Sequence, residues 1–82
     1  MLDDIRDRLR QITDTVPVPE LSEAETKLDE VRCQLWQVVS GSDQEHVRQA
    51  LGRLNLAHEK TGEALQAMTL ASDHTRDYTT AL

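Results

Sequence analysis

The chain has 82 residues, with fifteen Asp and Glu against nine Lys and Arg and a net charge of −6. Its length suits one small domain near the limit of what a single core supports unaided, and its charge repels nucleic-acid phosphates, which argues against a nucleic-acid partner. A single cysteine excludes an internal disulfide framework, and without a long apolar run or a signal-peptide pattern the sequence reads as cytoplasmic, with no membrane partner.

Leu2, Ile5, Leu9, Ile12 and Val16 recur at steps of three and four with Asp and Arg between them, which predicts a first amphipathic helix over about 2–15. The Val-Pro-Val-Pro stretch that follows lacks two amide donors and pushes the residues before each proline out of the helical region, so a break is expected over 16–21. Ser22 and Glu25 have capping-box spacing, with Leu21 as a staple, and predict a second helix over about 23–39. Its apolar line is Ala24, Leu28, Val31, Leu35 and Val38. Gly41 is placed to reverse the chain in a turn over 40–42.

A third helix is expected over about 43–79, opened by a second capping box of Ser42 and Glu45. Val47, Leu51, Leu54, His58, Thr61, Leu65, Met68, Ser72, Thr75, Thr79 and Leu82 alternate steps of four and three along it without a proline. Ala50, Ala57, Ala64, Ala71 and Tyr78 flank that line, and Gly52 and Gly62 fall on other faces. Such a helix would be about 55 Å long, roughly the first two laid end to end. The fold class that follows is all-α: a broken antiparallel hairpin whose long third helix is covered by helix 2 along one half and helix 1 along the other. A compact three-helix bundle would leave the far half of helix 3 bare. Two stacked helices bury one stripe each, and the chain has no Phe, one Tyr and one Trp, so a dimeric helical bundle is expected to complete the core.

Candidate interface residues are Cys33, Trp36, Val39 and Tyr78. Trp36 lies just off the helix 2 line on a side shared with Cys33; it either widens the hairpin core or faces a partner, indole being favoured at binding hot spots. His58 and Thr61 fall on the core line and are expected to act as a polar pair that sets register. None of the three histidines pairs with another at the helical spacing of three or four that a metal site uses, and Arg32 and Glu30 near Cys33 make only a weak case for an activated thiol, so no metal ligand and no cofactor is assigned. No phosphate-binding glycine loop, zinc-protease pair or nucleophile elbow occurs, and no catalytic residue is assigned. Arg6 and Arg10 have Asp3 and Asp7 at helical spacing, which pairs them with carboxylates and not with phosphate.

Two helices about a Trp-and-Gly corner, in a small acidic chain with Tyr78 near its C-terminus, resemble the Trp-x-Gly helical-hairpin proteins of type VII secretion. The resemblance implies a hairpin dimer and a secretion partner. Trp36 is followed here by Gln-Val-Val-Ser before Gly41, and Tyr78 by Thr-Thr-Ala-Leu, so the corner tripeptide and the C-terminal acid are unmatched and the likeness is one of shape. The leading expectation is a noncatalytic helical protein-protein interaction module, homodimeric and open to a helical protein partner. A secretion-type hairpin is the alternative, and a small metal-binding or enzymatic bundle the second alternative.

Overall fold

Two breaks divide the chain, one made by prolines and one by a glycine. The computed structural model describes residues 1–82, with three helices and no strand: α1 (Leu2–Thr15), α2 (Val18–Val39) and α3 (Glu45–Ala81). At the first break Val16 turns extended, and the Val18 amide donates to the Val16 carbonyl at 2.8 Å across Pro17, whose φ of −82° and ψ of 52° are those of an inverse γ-turn. The break is thus only Val16 and Pro17. Helix α2 starts five residues before the expected 23, because Pro19 occupies a first-turn position where its missing amide would be unpaired anyway. Ser22 is therefore interior; its carbonyl accepts from the Thr26 hydroxyl at 3.1 Å, and the capping-box spacing with Glu25 marks no helix start.

The second break is a type II turn. Ser40 has φ −55° and ψ 130°, Gly41 has φ +85°, and the Ser42 amide donates to the Val39 carbonyl at 3.0 Å. Gly41 takes the left-handed conformation that its position demands. Helix α3 begins at Glu45, two residues after the expected 43, and runs two beyond the expected 79; its cap is Gln44, whose Oε1 accepts from the Val47 amide at 3.2 Å. Ser42 Oγ accepts only from the Gln44 amide, at 3.3 Å, within the turn. Replacing Gly41 by Val should lower stability by about 1 kcal/mol or more, since a branched residue is strained at positive φ. Gly52→Ala should raise it by up to about 1 kcal/mol, because an added methyl meets no atom within 4 Å and the helix gains propensity. Urea melts at a single protein concentration measure both signs.

Helices α1 and α2 each pack on α3 and not on each other, so the molecule is a rod with Cα extents of 63 × 14 × 14 Å. This is the broken hairpin. Glu25 lies beside Gly62 and Arg32 beside Asn55: a heptad forward on α2 matches a heptad backward on α3, the signature of an antiparallel pair in register. Every residue of the expected α3 line from Val47 to Leu82 is buried or partly covered. On α2 the inner line differs from expectation. Ala24, Leu28 and Leu35 of the expected line are partly covered, joined by Leu21 and Val39, whereas Val31 and Val38 face solvent. Gly62 also departs from expectation: it is partly covered on the α2 side, with the Glu25 carboxylate 3.1 Å from where a Cβ would stand.

The core that results is thin. Only Ser72 and Thr79 are buried, and no hydrophobic residue is. All seven ion pairs join residues three or four apart within one helix, leaving Arg32 to Asn55 at 3.4 Å as the single side-chain hydrogen bond between helices. Adhesion between the arms is therefore mostly apolar contact along one stripe, supplemented little by exposed ion pairs. The radius of gyration, 18.8 Å, compares with about 12 Å for a globular chain of this length.

Candidate functional site

Cys33 and Trp36 are brought together. They line an open groove between α2 and α3 of about 470 Å³ with Arg32, Gln37, Leu51 and Asn55. Arg32 is held in that groove from both sides, by the Asp29 carboxylate one turn back and by Asn55 Oδ1 across the helix boundary. The Cys33 thiol is free and exposed, and Trp36 is 57% exposed, its ring lying at the rim of the hairpin and not inside it. Val39 and Tyr78 are elsewhere. Val39 sits on the inner line at the turn, half-covered, and exposed Tyr78 lies on α3 about 40 Å from Leu51 by helical rise. The four candidate interface residues do not form one surface.

His58 and Thr61 occupy the inner face as neighbours on α3, both partly covered. The Thr61 hydroxyl donates to the Ala57 carbonyl at 2.7 Å, so it caps its own helix turn and does not reach across to α2 or to His58. Other inward threonines behave alike: Thr79 donates to Thr75 O at 2.8 Å and Thr13 to Leu9 O at 2.9 Å. Back-bonding of this kind satisfies a hydroxyl locally and lets a polar residue occupy a packed stripe without a partner on the facing helix.

A second groove, about 510 Å³, lies between α1 and the far half of α3, with Arg6, Arg10 and Arg76 around Thr13, Thr79 and Thr80. No hydrophobic residue lines it. Each arginine has an aspartate three residues before it, Asp3 at 3.7 Å, Asp7 at 3.6 Å and Asp73 at 3.2 Å, and Asp14 also borders the groove. The three hydroxyls donate to their own helix carbonyls, so the groove offers a balanced, wet surface with no cluster of free donors. The Arg6 and Arg10 pairings with Asp3 and Asp7 are those expected from spacing. No group of three or more His, Cys, Asp or Glu side chains is arranged so that it could hold a metal ion, and no helix is long and apolar enough to cross a membrane.

Both grooves open on the same broad side of the rod. At about 100° per residue, Cys33 and Trp36 lie to one side of the Leu28–Leu35–Val39 line, and Val31 and Val38 lie to the other. On α3, Leu51 and Asn55 lie on the Trp36 side, and Ala50, Ala57, Ala64 and Ala71, at strict heptad spacing, lie on the Val31 side. On α1, Arg6 and Arg10 turn toward the polar groove and Ile5 and Ile12 turn away from it. Since α1 and α2 run the same way along α3, these sides coincide. The rod has one face with Trp36 and the arginines and one apolar face that sequence periodicity did not single out. Its signal was present, however, as two further heptad series, Ala24–Val31–Val38 and Ala50–Ala57–Ala64–Ala71.

Comparison with protein-family models, with curated proteins and with solved structures gives no match to this chain.

Proposed function

We propose that the protein is a noncatalytic helical interaction module that works as a homodimer. The observation that carries this reading is the absence of any buried hydrophobic residue in a chain that folds its apolar residues onto regular helical lines. A rod two helices thick leaves Leu, Ile and Val side chains half-exposed along its length, among them Leu2, Ile5, Ile12 and Val31. Monomeric proteins seldom expose contiguous apolar surface on that scale, and packing two hairpins into a four-helix bundle removes it. The surface chemistry supports a binding role over a catalytic one: the grooves are open, their hydroxyls and arginines are paired locally, and no nucleophile stands beside a base.

Sedimentation equilibrium at micromolar concentration should give twice the 9.3 kDa chain mass. A species of 9.3 kDa across that range would remove the homodimer from this reading.

A further inference from the structure

We infer that the second copy docks on the apolar face formed by Val31 and Val38 of α2 and the alanines 50, 57 and 64 of α3, and that Trp36 and Cys33 stay outside the dimer. The inference rests on the homodimer reading and assigns its interface.

Three observations favour a second copy of this chain as the occupant. First, the area matches. The accessible surface is 6322 Å², against about 5,000 Å² for a globular monomer of this mass, an excess on the order of 1,300 Å². A stable interface removes roughly 800 Å² from each partner. Val38 is 83% and Val31 47% exposed on this face, and Ile5 and Ile12 of α1, at 45% and 56%, continue it along the rod, so the face supplies apolar surface for that contact. Second, the shape matches. The alanines keep heptad spacing along α3, and side chains that small let a neighbouring helix approach closely over many turns, which suits a straight helix pair like the chain's own better than a loop or a globular edge. Third, the charges lie where a self-complementary contact tolerates them. Lys27, paired with Glu23 at 3.0 Å, Lys60, paired with Glu63 at 3.3 Å, and Arg53, one heptad before Lys60, border the face, and the strip of Val31, Val38 and the alanines inside that border carries no charge. A two-fold contact sets each patch against itself, so a neutral centre is required in a chain with a net charge of −6.

The opposite face fails these criteria. Its grooves hold Arg6, Arg10, Arg32 and Arg76 with their paired aspartates, and covering that face with a second copy would take these charges out of water. Trp36 there keeps a solvent-facing edge, and the molecule's only tryptophan reports on whether that face becomes covered.

The test is a concentration series by sedimentation on the wild type, on Val38→Lys with Ala50→Lys, and on Trp36→Gln. Both positions are exposed on the hairpin, and lysine keeps helix propensity there. The double-lysine variant should dissociate at a concentration at least about a hundredfold higher than wild type, and Trp36→Gln at one within about threefold of wild type. Because a variant that cannot dimerise can also lose helix, thiol labelling provides a second readout on assembled protein. Cys33 in the wild type should react at the rate of an exposed thiol at every concentration, and Val31→Cys in a Cys33→Ser background should become protected as concentration rises. A wild-type dimer in which Trp36→Gln dissociates, Cys33 is protected and Val31→Cys stays reactive overturns this assignment while leaving the homodimer in place. A monomeric wild type removes both.

Discussion

The apparent stability of the fold should rise by about 1.4 kcal/mol for every tenfold increase in protein concentration, the mass-action slope of a dimer that unfolds to two chains. Ordering 82 residues costs on the order of 100 kcal/mol of conformational entropy, and the usual offset is a buried apolar core. Here that core is a single stripe in which every leucine keeps some exposure. Its burial is also overstated by any fully extended reference for the unfolded chain. On the homodimer reading proposed above, a chain whose arms meet along one stripe sits near zero net stability by itself, and the surface removed on association would supply the rest. Far-UV circular dichroism during urea titration, repeated from tens of nanomolar to tens of micromolar, measures the slope directly. At the dilute end the helical signal should be largely lost without denaturant. A midpoint that stays fixed over that range would show that one hairpin holds itself together.

Ser72→Leu should cost about 1 to 3 kcal/mol, the largest loss expected from any single inward substitution that adds volume. Ser72 is one of the two buried residues of the molecule. Continuing the register that sets Glu25 beside Gly62 and Arg32 beside Asn55, Ser72 falls opposite the end of α1 next to the Val16–Pro17 break. A small residue at that point lets α1 approach α3 after the chain has changed direction. Leucine there would push α1 outward, and α1 has no contact with α2 to hold it in place. Ser72→Ala is the informative control. The Ser72 hydroxyl is buried with no hydrogen-bond partner, so its removal should leave stability unchanged or raise it by about 1 kcal/mol. Urea melts of the two variants at equal concentration, with amide exchange read separately over α1, test the pair. Should Ser72→Leu melt with the wild type, the half of the rod that α1 covers is too loosely packed to sense a side chain, and α1 is held by something other than contact at Ser72.

The inner face of α3 was legible in the sequence because helical geometry leaves little choice. A four-three alternation from Val47 to Leu82 defines one stripe, and once any two of those residues face a neighbour the rest follow. The proline break was legible for a similar reason, since the chemistry of a missing amide is local. Its width was not. Proline ends the preceding helix but is compatible with the first turn of the next, so Val18 and Pro19 joined α2, and the Ser22–Glu25 spacing, which only resembles a cap, lay inside it. At the turn, Gly41 was marked by its own backbone freedom, whereas the choice of Gln44 over Ser42 as cap depended on where the type II turn aimed the following residues.

What the tertiary structure alone decided is which side of α2 faces in. That helix carries two apolar lines, Leu21–Leu28–Leu35 and Ala24–Val31–Val38, each at heptad spacing and separated by about 60 to 80° around the axis. Periodicity ranks them equally, because each satisfies the helical repeat by itself. Their roles were settled by the rotation at which α2 leaves the Pro17 γ-turn and enters the Gly41 turn, which points the leucines and Val39 at α3 and leaves Val31 and Val38 outside. The same rotation put Cys33 and Trp36 on the arginine side and parted them from Val39 and Tyr78. Composition, helix content and the antiparallel pairing are properties of local sequence, and they were determined by it. The division of the surface into a polar face and an apolar one is a relation between three helices, and it exists only once they are packed.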